Sequence, residues 1–366
     1  MNILFLVLII IHGLIHLMGF LKSYNLVEIS QLTDDISHFI GILWLVAALL
    51  FSVAAILYSL KKVSWWIPGM IATVLSQVLI ILSWEDARFG TIPNIIILLE
   101  VIIGYGGWLF HNKTKREINL FILKAKSLGN KEKKITEQKI VVLPSPVQKW
   151  LKRTGIVGKE PIHSLYFKQK GIMKLKPEQK GWYKAQAEQY VTPNEPAFLW
   201  RVNMKMAPLV NVAGRDLYIN GKGEMVIKIA SLLPVVNVHN NKKTNQSILQ
   251  RFLLELPMYP TAALNPYITW EGIDEYTSKA TLAYKGVSGS ASFHFSEDGD
   301  LEKVSAFRFK ENDEKAELVE CIGELKETTQ IDGMRIPTKM DISWMLGQGK
   351  FTWYKLEIFD VKINEE

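Results

Sequence analysis

Four apolar runs occupy most of the first 110 residues of this 366-residue chain, and very few charged residues interrupt them. The runs cover about residues 2–21, 36–60, 65–84 and 91–110. A helix needs roughly 20 apolar residues to cross a bilayer core that is about 30 Å thick. The sequence therefore predicts a domain of four transmembrane helices over residues 1–111. This excludes a purely soluble enzyme and a disordered chain.

Lysine and arginine are distributed unevenly between the loops that join these runs. The second loop carries Lys61 and Lys62, and five basic residues follow the fourth run, whereas residues 23–35 contain none. Only Lys22 and Arg88 lie on the opposite side. Because cytoplasmic loops are enriched in Lys and Arg, the pattern predicts a multi-pass protein of the cell membrane with both termini in the cytoplasm. The lipid bilayer is therefore a predicted partner of this chain.

Four ionisable side chains lie within or beside the apolar runs: His12, His16, His38 and Glu100. His12 and His16 are four residues apart and share one helix face. A charged group at the centre of a span costs about 2.5–3.5 kcal/mol, so such residues often serve a metal site, a haem site or a proton path. The alternative is a hydrogen-bond network that joins the helices. Without the Glu of a His-Glu-x-x-His motif the metal signal is weak, so the sequence favours the structural interpretation and predicts no cofactor.

Residues 112–140 contain nine Lys or Arg and three Glu. Ile118, Phe121, Ile122 and Leu128 recur there at near-helical spacing. The segment is typical of a basic amphipathic linker that lies along the anionic inner leaflet, with a solvated linker as the alternative. It has too few aromatic residues to stack bases, so we expect no nucleic-acid partner. Residues 129–134 are predicted to form a flexible boundary.

Alternating patterns dominate the remaining segment, residues 141–366. Apolar side chains occupy every second position in residues 198–206, 225–229, 291–295 and 340–344. Turn sequences such as Asn220-Gly221 and Asp332-Gly333 separate the runs. This pattern predicts a mainly antiparallel β domain with one apolar face. The last run, residues 351–363, changes its apolar face midway, which suggests either a bulge or a strand that is covered on both sides.

One apolar helix is predicted among the strands, over residues 245–256, and it stops at Pro257. Ile248, Leu249, Phe252 and Leu253 share a broad face of this helix. A single helix of this kind, in a run of strands, favours a curved sheet wrapped on the helix. Whether the space between sheet and helix is hollow or packed stays open at this point.

Methionine and aromatic residues are common in the β domain, which holds eight of the eleven methionines. Such side chains line pockets for varied apolar ligands, and they also fill ordinary cores. The candidate ligand-binding residues are Trp200, Met204, Met225, Arg251, Phe252, Glu255, Trp270 and Trp344. Charged residues near these aromatics form either a polar spot in a pocket or ion pairs at a sheet rim; they are Arg201, Arg215, Asp216, Arg251, Glu255 and Glu271.

Catalytic motifs are scarce in the sequence. It contains no nucleophile elbow and no dinucleotide loop, and the single Cys321 excludes an intramolecular disulfide. The sequence therefore favours a protein that is not an enzyme, with a membrane-surface domain that binds a lipid or another apolar ligand. A membrane enzyme or redox protein built on the histidines, and a scaffold for a protein partner, are the alternatives.

Several stretches resemble a bacterial family of unknown function with a C-terminal β-rich domain. They are residues 143–155, 214–225, 251–256, 259–261 and 335–338. The helix with His12 and His16, together with residues 84–91, is similar to the membrane region of some members. The resemblance implies neither an activity nor a site. In architecture alone, the curved sheet with one apolar helix is similar to bacterial lipoprotein-carrier domains.

Overall fold

The computed structural model describes residues 2–127, 134–207 and 210–365. The chain divides into two compact units. The helical unit comprises the chain up to Lys113 together with Ala230–Leu233, and the β unit comprises the rest from Thr114 onward.

The helical unit consists of apolar helices in sequence order. They are α1 (Ile3–Ser23), α2 (His38–Ser59), α3 (Trp66–Leu82), the short α4 (Trp84–Ala87), a 3₁₀ turn (Arg88–Gly90) and α5 (Thr91–Ser127). By length and composition, three helical segments could cross a membrane: Ile3–Ser23, His38–Ser59 and Trp84–Leu123. The predicted third span is the 17-residue helix α3, which is shorter than these three.

The apolar side chains of the helical unit point both inward and outward. Phe5, Ile9 and Phe51 belong to its buried cluster. Many large apolar side chains are exposed, with Leu4 81 % and Ile92 60 % accessible. A soluble protein rarely exposes apolar surface on this scale, so the outer face of this unit is suited to a lipid environment.

In its described residues the β unit contains three further α-helices, two 3₁₀ helices (Leu256–Met258 and Pro260–Leu264) and thirteen strands. The helices are α6 (Glu137–Ile140), α7 (Ser145–Thr154) and α8 (Lys242–Leu254). The strands are β1 (Leu165–Met173), β2 (Tyr183–Thr192), β3 (Ala197–Lys205), β4 (Asn211–Ile219), β5 (Lys222–Ile229), β6 (Leu233–His239), β7 (Ile268–Gly272), β8 (Thr277–Tyr284), β9 (Val287–Phe295), β10 (Leu301–Phe309), β11 (Leu318–Ile331), β12 (Met334–Leu346) and β13 (Gly349–Ile363).

All thirteen strands belong to one sheet. Its order is β6-β5-β4-β3-β2-β1-β13-β12-β11-β10-β9-β8-β7. Each strand therefore pairs with its sequence neighbour, and the single non-local pairing joins β1 to β13, with Leu165 opposite Ile363. The sheet thus has two local meanders, one on each side of this central pair, which we call the left wing (β1–β6) and the right wing (β7–β13).

Short hairpin turns connect several strands at the positions that the sequence predicts. Asn220 and Gly221 both have positive φ angles of 55° and 75° between β4 and β5, as a type I′ turn requires. Asp332 and Gly333 do the same between β11 and β12. The predicted bulge in β13 is confirmed, because its register to β1 shifts near Phe359.

Helix α8 lies on the concave side of the sheet and contacts strands of both wings. The helix begins three residues earlier than predicted, because the side chain of Asn241 accepts hydrogen bonds from the backbone N–H groups of Lys243 and Thr244. Two strand glycines allow its close approach. A Cβ on Gly223 of β5 would lie 3.0 Å from Ile248 Cδ1, and a Cβ on Gly289 of β9 would lie 2.5 Å from Gln250 Cγ.

The C-terminal part of α5 is also in the β unit. Ile118 and Phe121 pack on Ala197 and Leu199, which lie on the convex face of the sheet. The apolar face that we predicted to contact the inner leaflet is therefore covered by protein at these two positions. Residues 128–133 of the predicted linker, with most of its predicted flexible boundary, lie outside the described residues.

Replacing Gly289 by Ala tests how tightly α8 is held between the wings. We expect the free energy of unfolding to fall by about 1–3 kcal/mol, because the added methyl group has no free volume and must displace the helix. The measurement is the thermal unfolding midpoint of the full chain in detergent, which should fall by several degrees. Gly347→Ala is the matched control, since no atom lies within 4 Å of a Cβ placed there. Equal midpoints for the two variants would contradict the close packing of α8.

Candidate functional site

An ionic network lies on the concave side of the sheet around Arg251 of α8. Its Nη1 donates to Asp216 Oδ2 on β4 at 2.6 Å, and its Nε donates to Glu255 Oε1 at 2.7 Å. Gln189 of β2 accepts from Arg251 Nη2 at 3.3 Å and donates to Glu255 Oε2 at 2.5 Å. The network therefore ties the helix to two strands of the left wing.

Aromatic rings lie against the same guanidinium. The Arg251 guanidinium carbon is 4.7 Å from the ring centre of Trp200 and 4.9 Å from that of Phe198, both on β3. Burial acts to lower the pKa of Arg251, but Glu255 and Asp216 outweigh it, and the pKa is raised. Arg251 is thus fully ionised, paired and stacked, which explains how a charge is tolerated beside the apolar core.

The orientation of Trp200 is fixed by a second set of hydrogen bonds. Its indole Nε1 donates to Gln169 Oε1 on β1 at 2.9 Å. The hydroxyl of Tyr354 on β13 donates to the same oxygen at 3.1 Å. Gln169 and Gln189 were not among the predicted site residues. Both are polar residues at positions where the alternating pattern of their strands expects apolar ones.

A second arginine on the concave side of the sheet belongs to the right wing. Arg308 of β10 donates from Nε to Ser247 Oγ on α8 at 3.0 Å, and its guanidinium carbon lies 5.6 Å from the ring centre of Trp344 on β12. Cys321 of β11 contacts the same guanidinium, and burial raises the pKa of its thiol. The network thus brings together Trp200, Arg251 and Glu255 of the predicted set, and Trp344 lies beside the second arginine.

The other predicted ligand residues lie apart from the two arginines. The ring centres of Phe252 and Tyr259 are 4.9 Å apart. Those of Trp270 and Phe293 are 4.8 Å apart, in an aromatic cluster near α7. Met204 is 3 % exposed and belongs to the core. Most of the other methionines are equally buried, so the methionine pattern reflects mainly a packed core.

Some apolar side chains of the concave face remain partly exposed, and we call them the apolar rim. They are Met206 (β3–β4 turn), Met225, Ile227 and Ile229 (β5), Val319 (β11) and Leu346 (β12), and all of them except Met225 pack against the main core cluster. Met225 lies opposite Asp216 in the register and therefore shares the face that carries the network. The rim borders the two arginines on both wings.

The loop between β10 and β11 is held next to Arg308 by one lysine. Lys243 Nζ donates to the backbone carbonyl oxygens of Asp313, Glu314 and Ala316 at 3.0, 2.7 and 2.9 Å. All three ammonium protons are thereby used by the loop. This ties the loop to the first turn of α8.

The convex face carries separate ion pairs. Arg215, whose side chain is 2 % exposed, pairs with Glu117 of α5 and Glu224 of β5, each at 2.7 Å. Arg201 pairs with Glu188 at 2.5 Å. Arg215 and Asp216 are neighbours in sequence but point to opposite faces, so the predicted charged group divides into a concave and a convex set. A pocket of about 190 Å³ beside α7 is lined by Arg153, Asp300 and Arg335, and both arginines donate hydrogen bonds to Asp300.

In the helical unit, a polar cluster joins α1, α3 and α5. His16 Nδ1 lies 2.7 Å from the carbonyl oxygen of His12, and His16 Nε2 lies 2.8 Å from Ser76 Oγ. His12 Nε2 lies 2.9 Å from Asn94 Oδ1. Asn94 Nδ2 donates to Gln77 Oε1 at 3.1 Å. These contacts link the histidines to the neighbouring helices.

One arrangement of protons satisfies this cluster with each imidazole carrying a single proton. A carbonyl can only accept, so the His16 ring proton lies on Nδ1, and Nε2 accepts from the hydroxyl of Ser76, which has a second acceptor in Asn94 Oδ1 at 3.1 Å. The other imidazole then donates from Nε2 to Asn94. The metal-binding lone pair of His16 is thus already used in a hydrogen bond.

His38 and Glu100 lie outside this cluster. His38 stacks on Tyr24 at 4.6 Å, and Glu100 is half-buried six residues beyond Asn94 on α5. Within the described residues, no three His, Cys, Asp or Glu side chains converge on a position where they could hold a metal ion. The structure therefore brings together two of the four candidate metal ligands, and its hydrogen bonds favour a role in helix packing.

Ser76→Ala removes the donor to His16. We expect the free energy of unfolding of the helical unit to fall by about 0.6–1.7 kcal/mol, the measured range for a hydrogen bond between helices in lipid. The measurement is the unfolding of the full chain in mixed micelles of increasing SDS content. Ser59→Ala is the matched control, because Ser59 donates only to Ile56 of its own helix. A variant as stable as the control would show that the cluster does not hold these helices together.

Three comparisons with known proteins complete this description. The structure is similar to that of a LolA superfamily protein from Nitrosomonas europaea, with 12 % sequence identity and a TM-score of 0.35. The match covers 63 % of this chain and 95 % of that one. A search of the curated proteins finds no match.

The third comparison identifies a family. The model of a family of unknown function, DUF6920, matches residues 141–362. These residues include the whole sheet, α7 and α8. The match agrees with the resemblance predicted from the sequence motifs. The chain therefore belongs to the DUF6920 family.

Proposed function

We propose that the β domain binds an apolar molecule with an acyl chain on its concave side, at the apolar rim, and that the N-terminal helices hold the protein in the cell membrane. The observation that carries the proposal is the partial exposure of the six apolar side chains of the rim on the concave face of the sheet. Apolar surface of this kind is stabilised when a ligand removes it from water, by roughly 25 cal/mol per Å².

The composition of the rim also supports an acyl ligand. Met206 and Met225 are unbranched and polarizable, so they adapt to chains of different shape. The carboxylates near the rim are bonded to Arg251 and do not point unpaired into the apolar surface. A flexible, mostly hydrocarbon ligand fits this surface better than a polar one.

The membrane location of the proposal depends on the helical unit. Its apolar helices expose Leu, Ile and Val side chains over their whole length, which lipid would cover. A domain tethered there meets membrane lipids at high effective concentration. The lysine and arginine distribution supports a cytoplasmic position for both termini.

Ile227→Trp tests the rim directly. A palmitoyl glycerol with a diazirine in its acyl chain is photolysed with the full chain in detergent, and the labelled peptides are identified by mass spectrometry. We expect label on peptides of β3, β5 and β12 in the native protein, and a several-fold loss of it in the variant, because the indole fills the surface. Label on the transmembrane helices is the internal reference.

Lys205→Trp is the matched control for this experiment. Lys205 is exposed at the end of β3, so its replacement leaves the concave face unchanged. Label confined to the apolar helices of the native protein would exclude acyl binding by the β domain.

Cysteine labelling tests the sidedness, because the single native Cys321 is only 1 % exposed and gives little background. We expect a membrane-impermeant maleimide to label Glu28→Cys in intact cells, and Lys62→Cys only after lysis. Both positions are exposed in the loops that flank α2. The reverse pattern would place the β domain outside the cytoplasm, and labelling of both in intact cells would exclude the proposed topology.

A further inference from the structure

Arg308 differs from Arg215 and Arg251 in its charged partners. Arg215 and Arg251 each pair with two carboxylates. Among the residues that the structure describes, no carboxylate oxygen lies within 4.0 Å of Arg308, although its side chain is partly buried on the concave face.

Arg308 has two side-chain hydrogen-bond partners among the described residues, the hydroxyl of Ser247 and the thiol of Cys321. Nε donates to Ser247, and Ser247 in turn donates to the carbonyl oxygen of Phe309 at 2.7 Å. Ser247 thus fixes the direction of the Arg308 side chain by accepting the hydrogen bond from Nε. A planar guanidinium has five N–H donors, so the terminal nitrogens retain donors for an oxyanion.

The charges around Arg308 compensate its positive charge only in part. Burial lowers the pKa of its guanidinium and the positive charge of Arg251 acts in the same direction, whereas Cys321 and Asp216 act to raise it. The ring face of Trp344 supplies only a partial compensation, at 5.6 Å. A second negative group beside Arg308 would be stabilised by both arginines.

The position of Arg308 connects this cation to the apolar rim. Arg308 is directly opposite Val319 of the rim in the β10–β11 register. Leu346 of the rim lies two residues beyond Trp344, on the same face of β12. A ligand whose chain covers the rim would therefore have its head group within reach of Arg308.

We infer that Arg308 binds the oxyanion head group of an acidic acyl lipid, a carboxylate or a phosphate, while the acyl chain lies on the apolar rim. The inference rests on the proposed function, and it adds the charge of the ligand. Ser247 and Trp344 act as positioning residues for the guanidinium. Arg251 remains engaged with its own carboxylates and does not bind the ligand.

The test compares two photoactivatable probes with the same diazirine-bearing chain, palmitate and palmitoyl glycerol, on the full chain in detergent at pH 8. We expect palmitate to label β10–β12 peptides about tenfold more efficiently than palmitoyl glycerol, as one charge-assisted hydrogen-bonded pair allows. Labelling of the transmembrane helices by each probe is the reference for partition into the micelle.

Arg308→Gln should reduce this preference to about one, because the amide retains polarity but not the charge. Arg308→Lys should restore part of it, since a point charge remains. Arg201→Gln is the matched control on the convex face and should keep the tenfold preference. A palmitate preference that persists in Arg308→Gln would overturn the inference.

Competition distinguishes the sources of the oxyanion. Unlabelled dioleoyl phosphatidate or oleate should displace the palmitate probe from β10–β12, and each result supports an acidic lipid. Displacement by 10 mM inorganic phosphate alone would overturn it in favour of a free anion site. Equal labelling of the β strands by both probes would leave acyl binding in place and contradict the role of Arg308; absence of strand labelling by either probe would contradict the proposed function itself.

Discussion

The packing of α8 against both wings of the sheet is the interaction on which the rest of the β domain depends. A thirteen-stranded antiparallel sheet exposes one large apolar face, and a single helix of thirteen residues must cover its centre. The helix comes close enough only because β5 and β9 have glycines where it crosses them. Arg251 and Ser247 belong to this helix, and their hydrogen bonds position Asp216 and Arg308. The location of the candidate site is therefore a consequence of how the sheet is closed.

Much of this architecture could be predicted from the sequence, because its determinants are local. The Asn-Gly and Asp-Gly turns require positive φ angles that few other residue pairs provide, and period-two alternation requires one apolar face. The start of α8 was misplaced by three residues because Asn241, a capping residue, comes before the apolar pattern begins. The course of residues 112–123 was less predictable: Ile118 and Phe121 show helical spacing, but spacing alone does not tell whether sheet or lipid covers them.

The candidate site was only partly predictable, for a related reason. Arg251 and Glu255 lie four residues apart on one helix, so their pairing is a local event. Asp216 and Gln189 reach them through the packing of α8 on the left wing, a contact between distant parts of the chain that a single sequence does not reveal. A usable signal was nevertheless present. Asp216, Gln189 and Arg308 each occupy an inward position of an alternating strand, where a polar residue requires a partner.

The central pairing of β1 with β13 has a consequence for how the domain is made. Each wing consists of hairpins between adjacent segments, which can form as soon as they leave the ribosome. The two wings can be joined only after the final strand has been synthesised, about 200 residues after the first. Until then the two wings cannot enclose the concave face, so the emerging chain passes through a stage in which its apolar surface is incompletely covered.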